Sequence, residues 1–228
     1  MSTPHTERGS ACGVDCGANP FGDGMFDRCE HWETVYRTKG TTDVSWFEAE
    51  PEVSLQLIRS VASWGSGVID VGGGASQLVD RLLADGYSPV AVLDVSATAL
   101  EHARRRLGEA GRQVQWIVGD VTQVGDVGRY DVWHDRAVFH FLTDPEDRRK
   151  YVALVQRTIP IGGHLVIGTF APDGPEKCSG LEVRRYDAAG LSAEFGPDFQ
   201  LVQEMEHTHH TPAGKLQKFS FAVLRRTG

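Results

Sequence analysis

The chain has 228 residues, 40% hydrophobic and 24% charged, enough for one domain with a substantial core, and no apolar run approaches the roughly 18–20 residues of a membrane-spanning helix. Twenty-three Lys and Arg against 31 Asp and Glu leave a net charge of −8, which opposes binding to a phosphate backbone and removes nucleic acid from the expected partners. Glycine is over-used, at 26 residues against an average of about 7% of a chain, so where the glycines fall becomes the question.

Residues 1–28 mix Ser, Thr, Pro, Gly and Asp without an apolar period and read as a flexible leader. They resemble neither a signal peptide nor an Arg-rich transit peptide, so the expected compartment is the cytoplasm. Cys12, Cys16 and Cys29 with His31 offer a metal set, but the spacing lacks a second paired knuckle; the expectation is reduced thiols and no metal. Residues 29–228 read as a single domain, ordered from about Glu30. Trp32 and Tyr36 stand four apart on one face of a short helix, and 51–64 forms a second helix with Pro51 at its first position. From there strands and helices alternate. Apolar runs at 67–71, 89–94, 114–118, 130–134 and 164–170 predict five strands, with helices over 76–85, from the Ser96 cap onward, and from Asp144-Pro145 to about Ile159. This alternation predicts an α/β fold, a doubly wound, mostly parallel sheet with helices on both faces. The stretch 171–186 is broken by Gly and Pro, a helix follows at 187–195, and 199–207 with 217–226 predicts a C-terminal antiparallel hairpin that brings the sheet to seven strands.

Ligands of such sheets bind beyond the carboxyl ends of the strands. The first exit is Asp70-Val-Gly72-Gly73-Gly74-Ala-Ser76, where glycines let backbone approach a ligand and Ser76 can cap the following helix. A dinucleotide fingerprint needs Gly at 77, where this chain has Gln, which disfavours a nicotinamide cofactor. Asp94 ends the second strand, placed to accept both hydroxyls of an adenosine ribose, and Asp120 follows the third, placed to accept an exocyclic amine. Each alone has the alternative of a helix cap or turn residue. Three acids at successive exits behind a Gly turn are hard to obtain from capping.

These segments resemble the class I (Rossmann-like) S-adenosylmethionine-dependent methyltransferases, within them the type 11/12 domain group. Val68-Ile-Asp-Val-Gly-Gly-Gly-Ala-Ser76 is similar to the family's first motif, with Ser76 for the frequent third glycine; Leu93-Asp94 is similar to the second, Gly119-Asp120-Val121 to the third and Tyr130–Leu142 to the fourth. Pro160-Ile-Gly-Gly163 resembles the family's Pro-Gly-Gly turn with Ile161 inserted, and the resemblance covers about residues 30–226. It implies S-adenosyl-L-methionine as cofactor, Gly72, Gly73 and Gly74 beneath its methionine end, Asp70 orienting that turn or the amino group, Asp94 on the ribose, and Asp120 with Val121 at adenine. Trp46, with Trp32 and Tyr36, is implied as a lid over the sulfonium, or as packing of the entry helix. Methyl transfer from a sulfonium needs little acid–base help. Where the acceptor arrives protonated, His134 and Asp135 at the fourth exit are the candidate bases; the alternative is that position 134 meets the cofactor through its backbone alone. Cys178 lines the acceptor pocket or packs, and His207, His209 and His210 form a polar strand end rather than a metal site. The expected activity is methyl transfer to an O, N or S of a small molecule. The alternatives are a protein-lysine methyltransferase, to whose branch Trp32, Tyr36 and Ser45-Trp46-Phe47 bear a resemblance, and a non-catalytic cofactor-binding regulator.

Overall fold

The computed structural model describes residues 27–228, so Cys12, Cys16 and residues 1–26 of the expected leader lie outside the described residues. Five strands form on the apolar runs: β1 (Val68–Val71), β2 (Val90–Asp94), β3 (Val114–Val118), β4 (Val132–Arg136) and β5 (His164–Phe170). A small ribbon, β6 (Lys177–Cys178) with β7 (Leu181–Glu182), sits in the Gly/Pro-rich stretch that sequence alone leaves irregular. The last two strands, β8 (Phe199–His210) and β9 (Leu216–Arg226), are the predicted hairpin, with β8 three residues longer than its apolar pattern suggests. The sheet order is β3-β2-β1-β4-β5-β9-β8; β1 to β5 run parallel, and β9 lies antiparallel between β5 and β8.

Among the described residues six α-helices complete the domain: α1 (Arg28–Thr38), α2 (Glu52–Val61), α3 (Leu78–Ala84), α4 (Ala97–Leu107), α5 (Pro145–Thr158) and α6 (Ala188–Phe195). Strands β1 and β2 are buried along their whole length because helices cover both faces, which is why they read as unbroken apolar runs. Leu55, Ile58, Leu78, Leu82 and Leu100 of α2 to α4 pack on Val68, Val90 and Val132 on one face. Tyr151, Leu154, Leu191 and Phe195 of α5 and α6 pack on Ile69, Leu93 and Trp133 on the other. Each such Leu contributes about 1.5–3 kcal/mol by leaving water.

Helix starts follow local chemistry. Ser96 Oγ accepts from Ala99 N (3.1 Å) as the cap of α4, and Asp144 Oδ1 from Glu146 N (2.6 Å) ahead of Pro145 in α5. Pro51 is the N-cap of α2 rather than its first residue. Residue 28, assigned to the leader by composition, is the first residue of α1, whose N-cap Asp27 accepts from Glu30 N (3.1 Å). Helix α1 docks on α4 through Glu33, which accepts from Thr98 N (3.1 Å) and Thr98 Oγ1 (2.6 Å). Among the described residues no helix is long and apolar enough to cross a membrane.

Because β1 pairs with β2 on one side and β4 on the other, the chain reverses its winding at β1. A crevice therefore opens past its carboxyl end.

Candidate functional site

Two adjoining cavities occupy that crevice. The larger, about 820 Å³ counting its open mouth, is lined by the exits of β1 to β4, by Trp32, Tyr36 and Arg28 of α1, and by Trp46 and Cys178. The smaller, about 570 Å³, lies under the glycine turn and is lined by Ser54, Asp70, Gly72, Gly73, Ser76 and His134, sharing Tyr36, Trp46 and Arg136 with the first.

The turn after β1 depends on its glycines. Gly72 has φ +69°, and a Cβ there would lie 2.0 Å from Val138 Cγ2; its N–H donates to Leu93 O (2.7 Å). Gly74, at φ +42°, passes so close to Asp94 Oδ2 and the Tyr36 hydroxyl that a Cβ would stand 2.9 Å from each. Gly73 rests on the Asp70 carboxylate beneath. Ser76 is exposed and precedes the helix by two residues. Gln77 is the N-cap of α3 and makes no side-chain cap, but Ser76 Oγ accepts from Leu78 N (3.1 Å), so the expected capping bond is met from one position further out.

Asp94 is buried at the end of β2, where Oδ1 accepts from Ser96 N (2.8 Å). Burial, reinforced by the charges of Asp70 and Glu33, pushes its carboxyl up to about 7. A buried carboxylate so poorly compensated fits the implied cofactor: two ribose hydroxyls would supply the donors that favour its ionised form. Asp120 reaches the same cavity, with Oδ1 accepting from Thr122 N (2.8 Å) and Oγ1 (2.7 Å) and Oδ2 pairing with Arg28 Nη1 (3.3 Å). Its second oxygen keeps a lone pair for an amine. Val121, buried, lines the wall beside it. Trp46 donates through Nε1 to the Tyr36 hydroxyl (3.2 Å), and Trp32 meets Trp46 and Phe141 edge to face at 5.6 and 5.2 Å, an aromatic cover for the larger cavity.

The two expected bases are placed otherwise. The sequence ends the fourth strand at His134, whereas β4 runs to Arg136, so His134 sits in mid-strand opposite Asp70 in register. Its Nδ1 is 2.7 Å from Asp70 Oδ1 and its Nε2 2.9 Å from Ser54 Oγ, and none of the three residues is more than 3% exposed. Both ring nitrogens are taken, and no lone pair faces the larger cavity. Asp135 points to the opposite face of the sheet. It accepts from Val138 N (2.8 Å), Phe139 N (3.1 Å) and the Tyr151 hydroxyl (2.5 Å), lines neither cavity, and burial pushes it up to about 6. These bonds brace the turn at Ala137, a non-glycine residue at φ +72° that lines the site. In this arrangement the His134 side chain is bonded to Asp70 beneath the glycine turn, and the Asp135 side chain to the backbone of the β4 exit.

Arg28 and Arg136 are the residues that sequence reasoning missed. Arg28 binds Asp120, Thr122 and Asp147 and so ties α1 to the β3 exit and α5. Arg136 occupies the exit given to His134. Its Nη1 donates to Trp46 O (2.9 Å), its Nη2 to Glu48 Oε1 (2.9 Å), and its guanidinium lies 4.8 Å over the Phe219 ring. The cue is the strand's start: opening it at the apolar pair Val132-Trp133 rather than at Tyr130 carries its end two residues on, to Arg136. His209 is buried, its Nδ1 3.3 Å from Glu48 and its Nε2 2.8 Å from Ser45 O. Among the described residues no group of three His, Cys, Asp or Glu could hold a metal.

The family described as Methyltransferase domain matches residues 68–163. An eEF1A lysine and N-terminal methyltransferase of Danio rerio is 26% identical over 152 residues, covering 65% of this chain and 22% of that protein. Nodulation protein S of Rhizobium tropici is 27% identical over 123 residues, covering 54% of this chain and 51% of that protein. The chain thus matches about half the length of one curated relative and about a fifth of the other. The N-methyltransferase NodS of Bradyrhizobium japonicum, solved in complex with S-adenosyl-L-homocysteine, superposes with a TM-score of 0.67 at 18% identity, covering 89% of this chain and 100% of that one.

Proposed function

Because the chain carries a domain of the class I, Rossmann-like S-adenosylmethionine-dependent methyltransferases, we propose that it transfers a methyl group to an O, N or S nucleophile of a small molecule by direct in-line displacement. The observation that carries this reading is the buried, weakly compensated Asp94 at the mouth of a glycine-turned crevice. Asp94 would hold the ribose, Asp120 and Val121 the adenine, and Gly72 to Gly74 would let the backbone pass under the methionine end. Bound there, the cofactor supplies an electrophilic methyl whose leaving group is a neutral thioether. What this chain contributes is placement and exclusion of water: Trp32, Trp46, Phe141 and Leu142 form apolar walls around the reacting space. His134 would act as a positioning residue, holding Asp70 under the turn.

A lysine side chain is the second acceptor, favoured by the likeness to the lysine methyltransferase of Danio rerio. A regulator that binds cofactor without turnover is the third reading. The cytoplasm is the proposed location.

Calorimetric titration with S-adenosylhomocysteine tests the assignment. Wild type should bind, and Asp94→Ala should weaken binding at least tenfold; wild-type affinity in that variant sinks the ribose role. Labelled cofactor offered in parallel to metabolite pools and to protein extracts then separates small-molecule acceptor, protein acceptor and no turnover.

A further inference from the structure

The two halves of the larger cavity differ in chemistry. Asp94 and Asp120 stand on the β2 and β3 side. On the β4 side the lining includes Trp32, Trp46, Val138, Phe141, Leu142 and Cys178, and Arg136 is the cation there. The Arg136 side chain is 12% exposed, and among the described residues two of its five N–H groups are used, by Trp46 O and by Glu48. Glu48 also lies 3.3 Å from His209 Nδ1, a second partner beside Arg136. The remaining guanidinium donors suit a carboxylate or similar anion, and the aromatic walls suit a planar body.

The titratable groups on that side are in no state to take a proton at neutral pH. Burial pushes the Cys178 thiol up to about 11, so it stays protonated. Burial and Arg136 push the nearby His140 down to about 3, yet its Nδ1 faces Phe170 N at 3.5 Å and its ring is packed between Phe141 and Phe170. His134 has both nitrogens bonded, and Asp135 faces the other side of the sheet. An acceptor used here must bring its attacking atom already deprotonated.

Resting on the methyl-transfer reading, we propose that the acceptor is a small aromatic anion, an aryl thiolate or acidic phenolate carrying a carboxylate, which Arg136 anchors and Trp32, Trp46 and Phe141 enclose. The bond from the attacking S or O to the methyl carbon forms as the carbon–sulfonium bond breaks and its electron pair leaves on sulfur; no proton moves. A lysine ammonium fits poorly, because at a pKa of about 10.4 it would have to shed a proton beside a fixed cation.

The probe is 2-mercaptobenzoate, with tyramine as the cationic control, each titrated against tryptophan fluorescence in the presence and absence of S-adenosylhomocysteine. Wild type should bind 2-mercaptobenzoate at least tenfold tighter than tyramine. Arg136→Gln should weaken it at least tenfold, and by more than it weakens S-adenosylhomocysteine. Since Arg136→Gln strands Glu48, the Arg136→Gln/Glu48→Gln pair is measured beside it and should show the same loss. Tighter binding of tyramine, or a loss confined to S-adenosylhomocysteine, overturns the proposal. With labelled cofactor, the pH at which transfer turns on should follow the acceptor's own ionisation; one midpoint shared by acceptors of different acidity would reveal a protein base and overturn it too. Wild type that binds 2-mercaptobenzoate but not S-adenosylhomocysteine sinks the methyl-transfer reading and leaves the Arg136 site standing.

Discussion

Ser54, His134 and Asp70 form a continuous hydrogen-bonded chain in the order of a hydrolytic triad, with Ser54 1% exposed at the wall of the cavity under the glycine turn. The chain holds the Asp70 carboxylate against Gly73. His134→Ala leaves that carboxylate and a serine hydroxyl buried with one partner fewer, which should cost about 2 kcal/mol and lower Tm by about 4–8 °C. Turnover at saturating cofactor should stay within about threefold. A fall in kcat of about 10²-fold or more at unchanged KM, in a variant that still melts like wild type, would assign His134 the role of a base. How legible such residues are depends on where the information lies. Asp94 and Asp120 follow apolar runs directly, so position in the chain suffices. His134 and Asp135 are adjacent in sequence yet point to opposite faces, and which face carries the cavity depends on helices far along the chain.

At the scale of elements, α1 is what turns an open crevice into an enclosed one. Trp32 and Tyr36, four residues apart, face the cavity as the helical period predicts, and Arg28, two turns before Tyr36, secures the same face by pairing with Asp120 and Asp147. Composition placed residue 28 in the leader because a single Arg carries no period; its partners lie 92 and 119 residues away. Arg28 is partly exposed, so its pairs contribute under about 1 kcal/mol to stability. Its effect should appear in binding. Arg28→Gln should weaken S-adenosylhomocysteine by roughly three- to tenfold and speed amide exchange across residues 30–38, with Tm nearly unchanged. Unaltered affinity together with unaltered exchange would show that the latch does nothing for the site. The ribbon of β6 and β7 was illegible for a different reason: two residues per strand are too few to show alternation, and Cys178 reaches the cavity only because that ribbon is ordered.

For the whole molecule, two buried carboxyls give folding and binding opposite pH trends. Asp94 is pushed up to about 7 and Asp135 to about 6, each above the ordinary value near 3.9. A carboxyl raised in the folded state contributes stability that is complete below about pH 4 and is lost as pH rises through the folded value. The ligand-free protein should therefore lose stability between pH 5 and 8 relative to Asp94→Asn, which carries no such charge. Affinity for S-adenosylhomocysteine should move the other way, rising up to about tenfold per pH unit until pH 7, because the ionised carboxylate is the form that accepts two hydroxyls. Titrations at pH 5, 6, 7 and 8 check both; an affinity flat with pH contradicts the ribose role of Asp94.

The sequence by itself determined the order of the elements, the parallel sheet with its antiparallel ending, the glycine turn, and the acids at the second and third exits. All of these follow from local period, from turn chemistry and from the rule that open parallel sheets bind ligands where strands end. Only the tertiary structure decided that β4 ends at Arg136 rather than at His134, that His134 is bonded on both sides, and that Arg28 closes over Asp120. Strand register and pairing across dozens of residues set these, and a shift of two residues in one strand exchanges a buried histidine for a cation at the cavity wall.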